Sequence, residues 1–228
     1  MLQRLYFNVD VVYLYRESLK GTVLRFSLRS LKNLTHDRVF IIGDKPDWIQ
    51  NVKYVRYPDA FKRSSTNQWF KLLKACSTDV SQRFILMDDD HLIMEPTEIP
   101  YYSRGLIKDI KPNNTDFYRD LKRTGELFEN AISYNKVHAP IVYDKNKVLD
   151  LVNHYSVVKG RYLHKSLYGN HYGCVHQYMD DCKARSWGEF EKKLGNKIVS
   201  TSPKVEQDPR FKETLLKYFP KKSKYEKS

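Results

Sequence analysis

The stretch Phe84-Ile-Leu-Met-Asp-Asp-Asp-His-Leu-Ile-Met94 decides the fold, because a short apolar run ends there in three consecutive carboxylates before the chain turns apolar again. Four apolar residues bounded by polar ones are typical of a strand that is buried on both faces. The carboxylates then lie at the C-terminal edge of the strand, where open α/β sheets bind ligands. Because adjacent negative charges repel one another, the triplet predicts a hard divalent cation held by carboxylate oxygens.

The sequence before this stretch alternates between strand and helix patterns. Three segments rich in β-branched and aromatic residues are predicted strands: 9–15, 38–44 and the edge-like 52–57. Two segments with apolar residues at helical spacing are predicted helices, one opening at Gly21-Thr22 and one over Ser64–Cys76. This alternation predicts an α/β fold with a mostly parallel central sheet and helices on both faces.

The pattern changes after Pro96. We expect a polar helix over about residues 115–132, a strand over 138–143 and a helix capped by Asp144. We interpret residues 168–173, which carry two glycines among aromatic residues, as a flexible loop, and we expect a helix bearing Asp180 and Asp181 to follow it. The basic C-terminal residues, 217–228, are expected to form a partly mobile tail.

Composition narrows the classes of protein that fit. The chain has 228 residues, enough for one domain with a substantial core, and its 40 Lys and Arg against 27 Asp and Glu give a net charge of +13. This surplus favours a polyanionic partner, either nucleic acid or an anionic membrane surface, although it could also serve solubility. Three scattered cysteines, no secretory leader pattern and no apolar run of membrane-spanning length favour a cytoplasmic protein.

Together these features resemble a glycosyltransferase of the GT-A fold over most of residues 8–185. The resemblance rests on two strand ends, Tyr15-Arg16 and Gly43-Asp44, and on the helix that leads into the apolar strand. It rests above all on the Asp-x-Asp motif, which Asp88 and Asp90 match. The compact size and a proline near the C-terminal end also resemble small glycosyltransferases encoded by bacteriophages and by capsule gene clusters.

The resemblance implies a domain organisation. It implies a single GT-A catalytic domain over residues 1–202, followed by a basic C-terminal helix or tail over residues 203–228. Within the domain, residues 1–100 would form the nucleotide-sugar half and residues 101–202 the acceptor half.

The resemblance also implies a donor, a metal and their ligands. Family members bind a nucleoside-diphosphate sugar, here expected to be a UDP-sugar, and Mn²⁺ or Mg²⁺ bridges its phosphates. A divalent ion stabilises charge on the departing diphosphate, which makes this arrangement chemically reasonable. On this basis Asp90 is the first expected metal ligand and Asp88 faces the metal or the ribose, with Asp89 beside them. Since many relatives add a histidine, His138, His171 and His176 are candidates for a third ligand. Of these His171 is expected, although a water molecule could replace it.

Further residues are expected to hold the donor or to carry the chemistry. Tyr15 and Arg16 would receive the nucleobase and a phosphate, and Asp44 would accept a hydrogen bond from the base or the ribose. Asn67 and Lys71 lie one turn apart on the second predicted helix, where either could face the donor. Inverting relatives use an acidic general base near the start of a late helix, a role for which Asp181, or else Asp180, is expected.

Two acceptors are compatible with the sequence, and two other classes of protein share some of its features. A very basic glycosyltransferase could modify a hydroxylated base in DNA, after the base has left the stack. The other acceptor is a cell-surface or lipid-linked glycan near an anionic membrane. A non-enzymatic nucleic-acid-binding protein would explain the positive charge but not three acids at a strand end. A phosphatase of the haloacid dehalogenase type is discounted because Leu92 occupies a position where that family needs Thr or Val.

Overall fold

A five-stranded sheet forms the centre of the molecule. The structure is a computed structural model, and it describes residues 9–16 and 21–227. Residues 1–8, 17–20 and 228, which fall within the predicted domain and tail, lie outside the described residues. The sheet contains β1 (Asp10–Tyr15), β2 (Val39–Gly43), β3 (Lys53–Arg56), β4 (Arg83–Met87) and β7 (Ile141–Asp144).

The strand order is β3-β2-β1-β4-β7, and every neighbouring pair is parallel except β4 with β7. The predicted mostly parallel sheet is therefore confirmed. Parallel strands need crossover connections, which α1 (Thr22–Ser30) and α2 (Ser64–Cys76) supply. Both ends of α2 agree with the predicted range, but the expected hydroxyl N-cap is wrong, because the N-cap residue is Arg63 and it makes no side-chain cap hydrogen bond.

Helices cover both faces of this sheet, because successive side chains of its central strand point to opposite faces and are buried on both. Along β1, Val11 and Tyr13 point into a core shared with α1, whereas Val12 points into a second core shared with α2. The second core is completed by α4 (Lys145–His154), α5 (Val157–Gly160) and α6 (His164–His171). The Asp144 side chain caps α4 as predicted, since it accepts hydrogen bonds from the backbone N–H groups of residues 146 and 147.

The acidic loop connects the main sheet to a smaller one. Immediately after residues 88–90 the chain enters β5 (His91–Ile93), which pairs with β10 (Ile198–Thr201). On its other side β10 pairs with β9 (Lys183–Ala184). Two short strands, β6 (Tyr101–Ser103) and β8 (His176–Tyr178), form a separate pair. The small sheet thus brings the last third of the chain beside the end of β4.

Three predictions about secondary structure are wrong. The helix α3 (Asp116–Gly125) ends at its glycine instead of continuing to 132. Residues 168–171 form the last turn of α6 instead of a loop, because Gly169 packs against Tyr134, whose ring would lie 2.3 Å from any added Cβ. Asp180 and Asp181 lie in the connection between β8 and β9, not on a helix.

The C-terminal segment packs against the body of the protein. It contains α8 (Pro203–Glu206) and α9 (Arg210–Tyr218), which join α7 (Trp187–Lys193) and the small sheet in a third core. Beyond α9, Glu226 is 3% exposed and forms a salt bridge with Arg29 at 2.8 Å. The expected mobile tail is therefore fixed to α1 by a buried ion pair.

None of the described helices is both long and apolar enough to cross a membrane.

Candidate functional site

The three aspartates lie at the C-terminal end of β4, at the wall of a cavity of about 590 Å³. Buried apolar residues hold the strand in the centre of the sheet, so the loop that follows it starts from a rigid position. The volume falls within the range of small-molecule sites in proteins. The sequence prediction that ligand chemistry gathers at this strand end is thus matched by a cavity at the same place.

Asp88, Asp90 and His91 form a cluster that could hold a metal ion, since one ligand atom of each lies within 4.8 Å of the others. His91 is fully buried, and its Nε2 lies 3.3 Å from Asp88 Oδ2 and 3.9 Å from Asp90 Oδ1. Its Nδ1 accepts a hydrogen bond from the backbone N–H of Asp88. Within residues 9–16 and 21–227, Nε2 has no hydrogen-bond partner. This buried nitrogen faces the carboxylates of Asp88 and Asp90.

Two lysines neutralise the carboxylates of the cluster. Lys165, on α6, places its Nζ 3.3 Å from Asp88 Oδ2 and donates to the backbone carbonyl of Ala139. Lys183, on β9, places its Nζ 2.6 Å from Asp90 Oδ2. Burial acts to lower the pKa of Lys183, but Asp90 and its neighbours outweigh burial and raise it. Each of the two carboxylates is thus paired with one lysine.

The protonation of the acidic loop differs from residue to residue. Burial acts to raise the pKa of Asp88, but Lys165 and nearby histidines outweigh it and lower that pKa. Burial, with the charges of Asp90 and Asp88, raises the pKa of Asp89 to about 8. Burial also lowers the pKa of His91 to about 4, so its ring is neutral at pH 7. A neutral ring whose Nδ1 accepts a hydrogen bond carries its proton on Nε2.

Six of the predicted site residues line this cavity: Arg16, Asn67, Lys71, Asp88, Asp89 and Asp90. Two of them are already engaged in the structure. The Asn67 amide donates to and accepts from the backbone of Phe61, so it holds the loop before α2. Lys71 is buried and donates to the Tyr15 carbonyl while its Nζ lies 2.6 Å from Asp59. These two residues shape the wall at the ends of β1 and β2.

Five predicted site residues are not among the lining residues of the cavity: the two predicted bases, described below, and Tyr15, Asp44 and His171. Tyr15 is fully buried in the core shared with α1, because alternation along β1 turns its ring to that face. Asp44 follows β2, and its backbone N–H bonds to the Tyr15 carbonyl. His171 ends α6, where its Nδ1 lies 3.0 Å from the Tyr155 hydroxyl. Of the described residues, the metal-ligand cluster instead draws on His91, which directly follows the acidic triplet.

The two predicted bases have different surroundings. The Asp180 side chain is 85% exposed and forms a salt bridge with Arg104. Asp181 lies 2.8 Å from Nδ1 of His138, and His138 lines the cavity.

Sequence reasoning missed Lys165 and Lys183, since nothing distinguishes them among the 40 basic residues of the chain.

A second cleft of about 1240 Å³ lies elsewhere on the surface and shares none of its lining residues with the first. Exposed lysines of the α1 end, the β10 end and the C-terminal segment line it: Lys32, Lys197, Lys221, Lys222 and Lys224. Part of the positive charge is thus concentrated along one cleft.

Most of the chain is similar in structure to a solved glycosyltransferase. The crystal structure of the galactosyltransferase LgtC in complex with donor and acceptor sugar analogs matches with a TM-score of 0.55 and 9% identity, over 93% of this chain and 95% of LgtC. A glycosyltransferase involved in the glycosylation of the major capsid of PBCV-1 matches with a TM-score of 0.47 and 8% identity, over 92% of this chain and 98% of that one. No protein-family model and no curated protein matches the sequence.

Proposed function

Because this chain has the fold of the GT-A-type glycosyltransferases, we propose that it transfers a sugar from a nucleoside-diphosphate sugar to an acceptor hydroxyl with the help of a divalent metal. The observation that carries the proposal is the cluster of Asp88, Asp90 and His91 in a cavity at the end of β4. Open α/β sheets bind ligands at this edge, and a fold alone does not define a function.

The donor atoms of the cluster fit Mn²⁺ or Mg²⁺. Two carboxylates offer the oxygen ligands that hard divalent ions prefer, and the loop that carries them starts from a buried strand. His91 fits less well as a third ligand, because its Nδ1 accepts from the Asp88 N–H and the ring proton therefore lies on Nε2. We assign the metal to Asp88 and Asp90, with the Nε2 of His91 facing both carboxylates. His171 has no part in this assignment.

The charges around the cluster suit a diphosphate. Lys165 and Lys183 now pair with the two carboxylates, and a metal ion that took those carboxylates would leave both ammonium groups free to turn to phosphate oxygens. Ammonium groups bind phosphate as point charges. When bound, the metal would neutralise charge that develops on the departing diphosphate. The metal and the two lysines would thus both bind the diphosphate leaving group.

The nucleoside end of the donor, which we propose to be a UDP-sugar, would lie toward the ends of β1 and β2. Arg16 lines the cavity there with 72% of its side chain exposed, so its guanidinium can reach a phosphate or a base. Asn67 and Lys71 would act by holding the backbone of Phe61 and Tyr15 in place. Asp44 would contribute from the neighbouring strand end.

For the acceptor we propose a polyanion, with hydroxylated DNA as the first class to be tested. The net charge of +13 and the lysines of the second cleft support this choice. The alternative is a glycan acceptor, and LgtC was crystallised with donor and acceptor sugar analogs. DNA binding measured across a salt series separates the two, because phosphate contacts weaken steeply as salt rises. A lack of salt-dependent duplex binding at low ionic strength would exclude DNA.

The enzyme proposal is tested with a panel of nucleotide sugars in the presence of Mn²⁺. We expect one donor to stabilise the protein against heat and to release nucleoside diphosphate. Asp90→Ala should abolish both signals, whereas Glu129→Ala, which removes an exposed carboxylate on the surface, should preserve them. The proposal fails if the wild type binds no nucleotide sugar, or if Asp90→Ala behaves like the wild type.

A further inference from the structure

His138 and Asp181 form a hydrogen-bonded pair at the edge of the cavity. His138 Nδ1 lies 2.8 Å from Asp181 Oδ1, and the two side chains are 25% and 20% exposed. His138 lines the cavity, but Asp181 does not. Since Nδ1 is engaged by Asp181, Nε2 is the ring nitrogen that is left for a group bound in the cavity. The described part of the chain gives Nε2 no hydrogen bond of its own.

The Asp181 carboxylate is fixed by partners on both of its oxygens. Besides His138, Oδ1 accepts a hydrogen bond from the backbone N–H of Lys183 at 2.9 Å. The other oxygen, Oδ2, accepts from Arg185 at 2.8 Å. These donors outweigh burial and lower the pKa of Asp181 to about 2. Asp181 is therefore a permanent anion, and so weakly basic a carboxylate is a poor proton acceptor.

The backbone of His138 is held in an unusual conformation. Its φ is 50° and its ψ is 48°, in the left-handed region that residues with a Cβ rarely adopt. The neighbouring carbonyl of Val137 accepts a hydrogen bond from the backbone of Cys182, which fastens the turn to the segment that carries Asp181. Such outliers persist where the surrounding structure holds them, and they cluster at functional sites.

We infer that His138, oriented by Asp181, is the group that accepts the proton of the acceptor hydroxyl; this inference rests on the proposed glycosyl transfer. The acceptor oxygen forms its bond to the anomeric carbon while the bond from that carbon to the diphosphate oxygen breaks. The diphosphate keeps the electron pair of the broken bond, and the acceptor proton passes to Nε2. Asp181 stabilises the imidazolium that forms. Because the acceptor oxygen attacks from the face opposite the departing diphosphate in a single displacement, the anomeric configuration inverts.

Two other residues near His138 are less suited to act as the base. Asp180 lies next to Asp181 but is turned to solvent, paired with Arg104. His164 lines the cavity as well, but its Nδ1 is bonded to the Tyr143 hydroxyl and burial lowers its pKa to about 3. His138 alone among these groups combines a place in the cavity with a carboxylate partner on the opposite ring nitrogen.

Two variants of His138 test the assignment while preserving the backbone. His138→Gly suits a φ of 50°, and His138→Asn also tolerates it and can still donate to Asp181. With the donor identified by the nucleotide-sugar panel and water as acceptor, both variants should lose about 100-fold or more in kcat. The KM for the donor and the thermal stabilisation by donor with Mn²⁺ should stay unchanged. His154→Ala, an exposed histidine on α4, is the matched control and should keep the wild-type rate.

Asp181→Asn tests the positioning role through a pH profile. The wild-type rate should fall at low pH, because the reaction needs an unprotonated base. Without the carboxylate the imidazolium is less stable, so this acid limb should move to lower pH while the plateau drops. The other charged groups that line the cavity are the same in both proteins: the acidic loop, Arg16, Asp59, Lys62, Arg63, Lys71, Asp116, Asp120, Lys165 and Lys183. A purely structural residue would leave the limb where it is.

The outcomes separate this inference from the proposed function. If the wild type turns over a donor and either His138 variant stays within about threefold of its kcat, the base assignment is wrong and glycosyl transfer stands. A product that retains the anomeric configuration, or an unmoved acid limb in Asp181→Asn, also overturns the assignment. If the wild type releases no nucleoside diphosphate from any donor, both proposals fall together.

Discussion

Replacing Lys183 with Met should strengthen metal binding and weaken nucleotide binding. Lys183 Nζ lies 2.6 Å from Asp90 Oδ2, so a metal ion on that carboxylate would lie roughly 5 Å from the ammonium. At an effective dielectric constant of about 20, a divalent ion and an ammonium at that distance repel by about 7 kcal/mol. The Lys183 side chain is 23% exposed, and screening by solvent and salt reduces the effect to about 1–3 kcal/mol.

Removing the ammonium should therefore tighten Mn²⁺ binding by about 5- to 100-fold, measured by isothermal titration calorimetry without nucleotide. Nucleoside diphosphate binding in the presence of saturating Mn²⁺ should weaken, since a phosphate partner is lost. Lys192→Met, which removes an exposed lysine of α7, is the matched control and should change neither affinity. A Lys183→Met variant that binds Mn²⁺ no more tightly than the wild type would contradict a metal site on Asp90.

Three further predictions concern stability, measured by urea unfolding. The pKa of Asp181 is lowered to about 2, so its carboxylate stabilises the fold above about pH 4 and loses that effect as the pH falls toward 2. Asp181→Asn should remove about 2 kcal/mol at pH 7 and flatten this acid dependence, and an unchanged profile would contradict the assigned contacts. Asn67→Ala should lower the free energy of unfolding by about 2 kcal/mol, because the backbone N–H and carbonyl of Phe61 lose their partner, and it should raise the KM for the donor. Unchanged stability would show that the loop before α2 does not depend on Asn67. Glu226→Ala should cost about 3 kcal/mol or more because it leaves Arg29 buried without its partner, and it should expose the C-terminal segment to trypsin; unchanged protection would count against that anchor.

The features that sequence predicted well depend on local patterns. The apolar run from Phe84 and the helical spacing of apolar residues over Ser64–Cys76 placed β4 and α2 at their observed positions. Because the acidic triplet follows a buried strand directly, its position at the sheet edge followed from strand geometry alone. The GT-A fold, expected from these elements and from the Asp-x-Asp motif, is confirmed by the similarity to LgtC.

The features that sequence reasoning missed depend on contacts between distant residues. Gly169 was interpreted as a flexible point, whereas it is a small residue that lets Tyr134 pack against α6. Lys165 and Lys183 reach the acidic loop from elements 77 and 93 residues away in sequence, and no local pattern indicates such pairing. The basic C-terminal segment was expected to be mobile because its single anchoring acid, Glu226, is outnumbered by lysines.

The most direct test of the central claim is a crystal structure with Mn²⁺ and UDP, with the metal located by its anomalous scattering. We predict one Mn²⁺ with carboxylate oxygens of Asp88 and Asp90 at roughly 2.1 Å, bridging to the diphosphate. Lys165 and Lys183 should then contact phosphate oxygens instead of the carboxylates. Manganese bound at another place, or UDP bound in this cavity without contact to a metal on Asp88 or Asp90, would contradict the account.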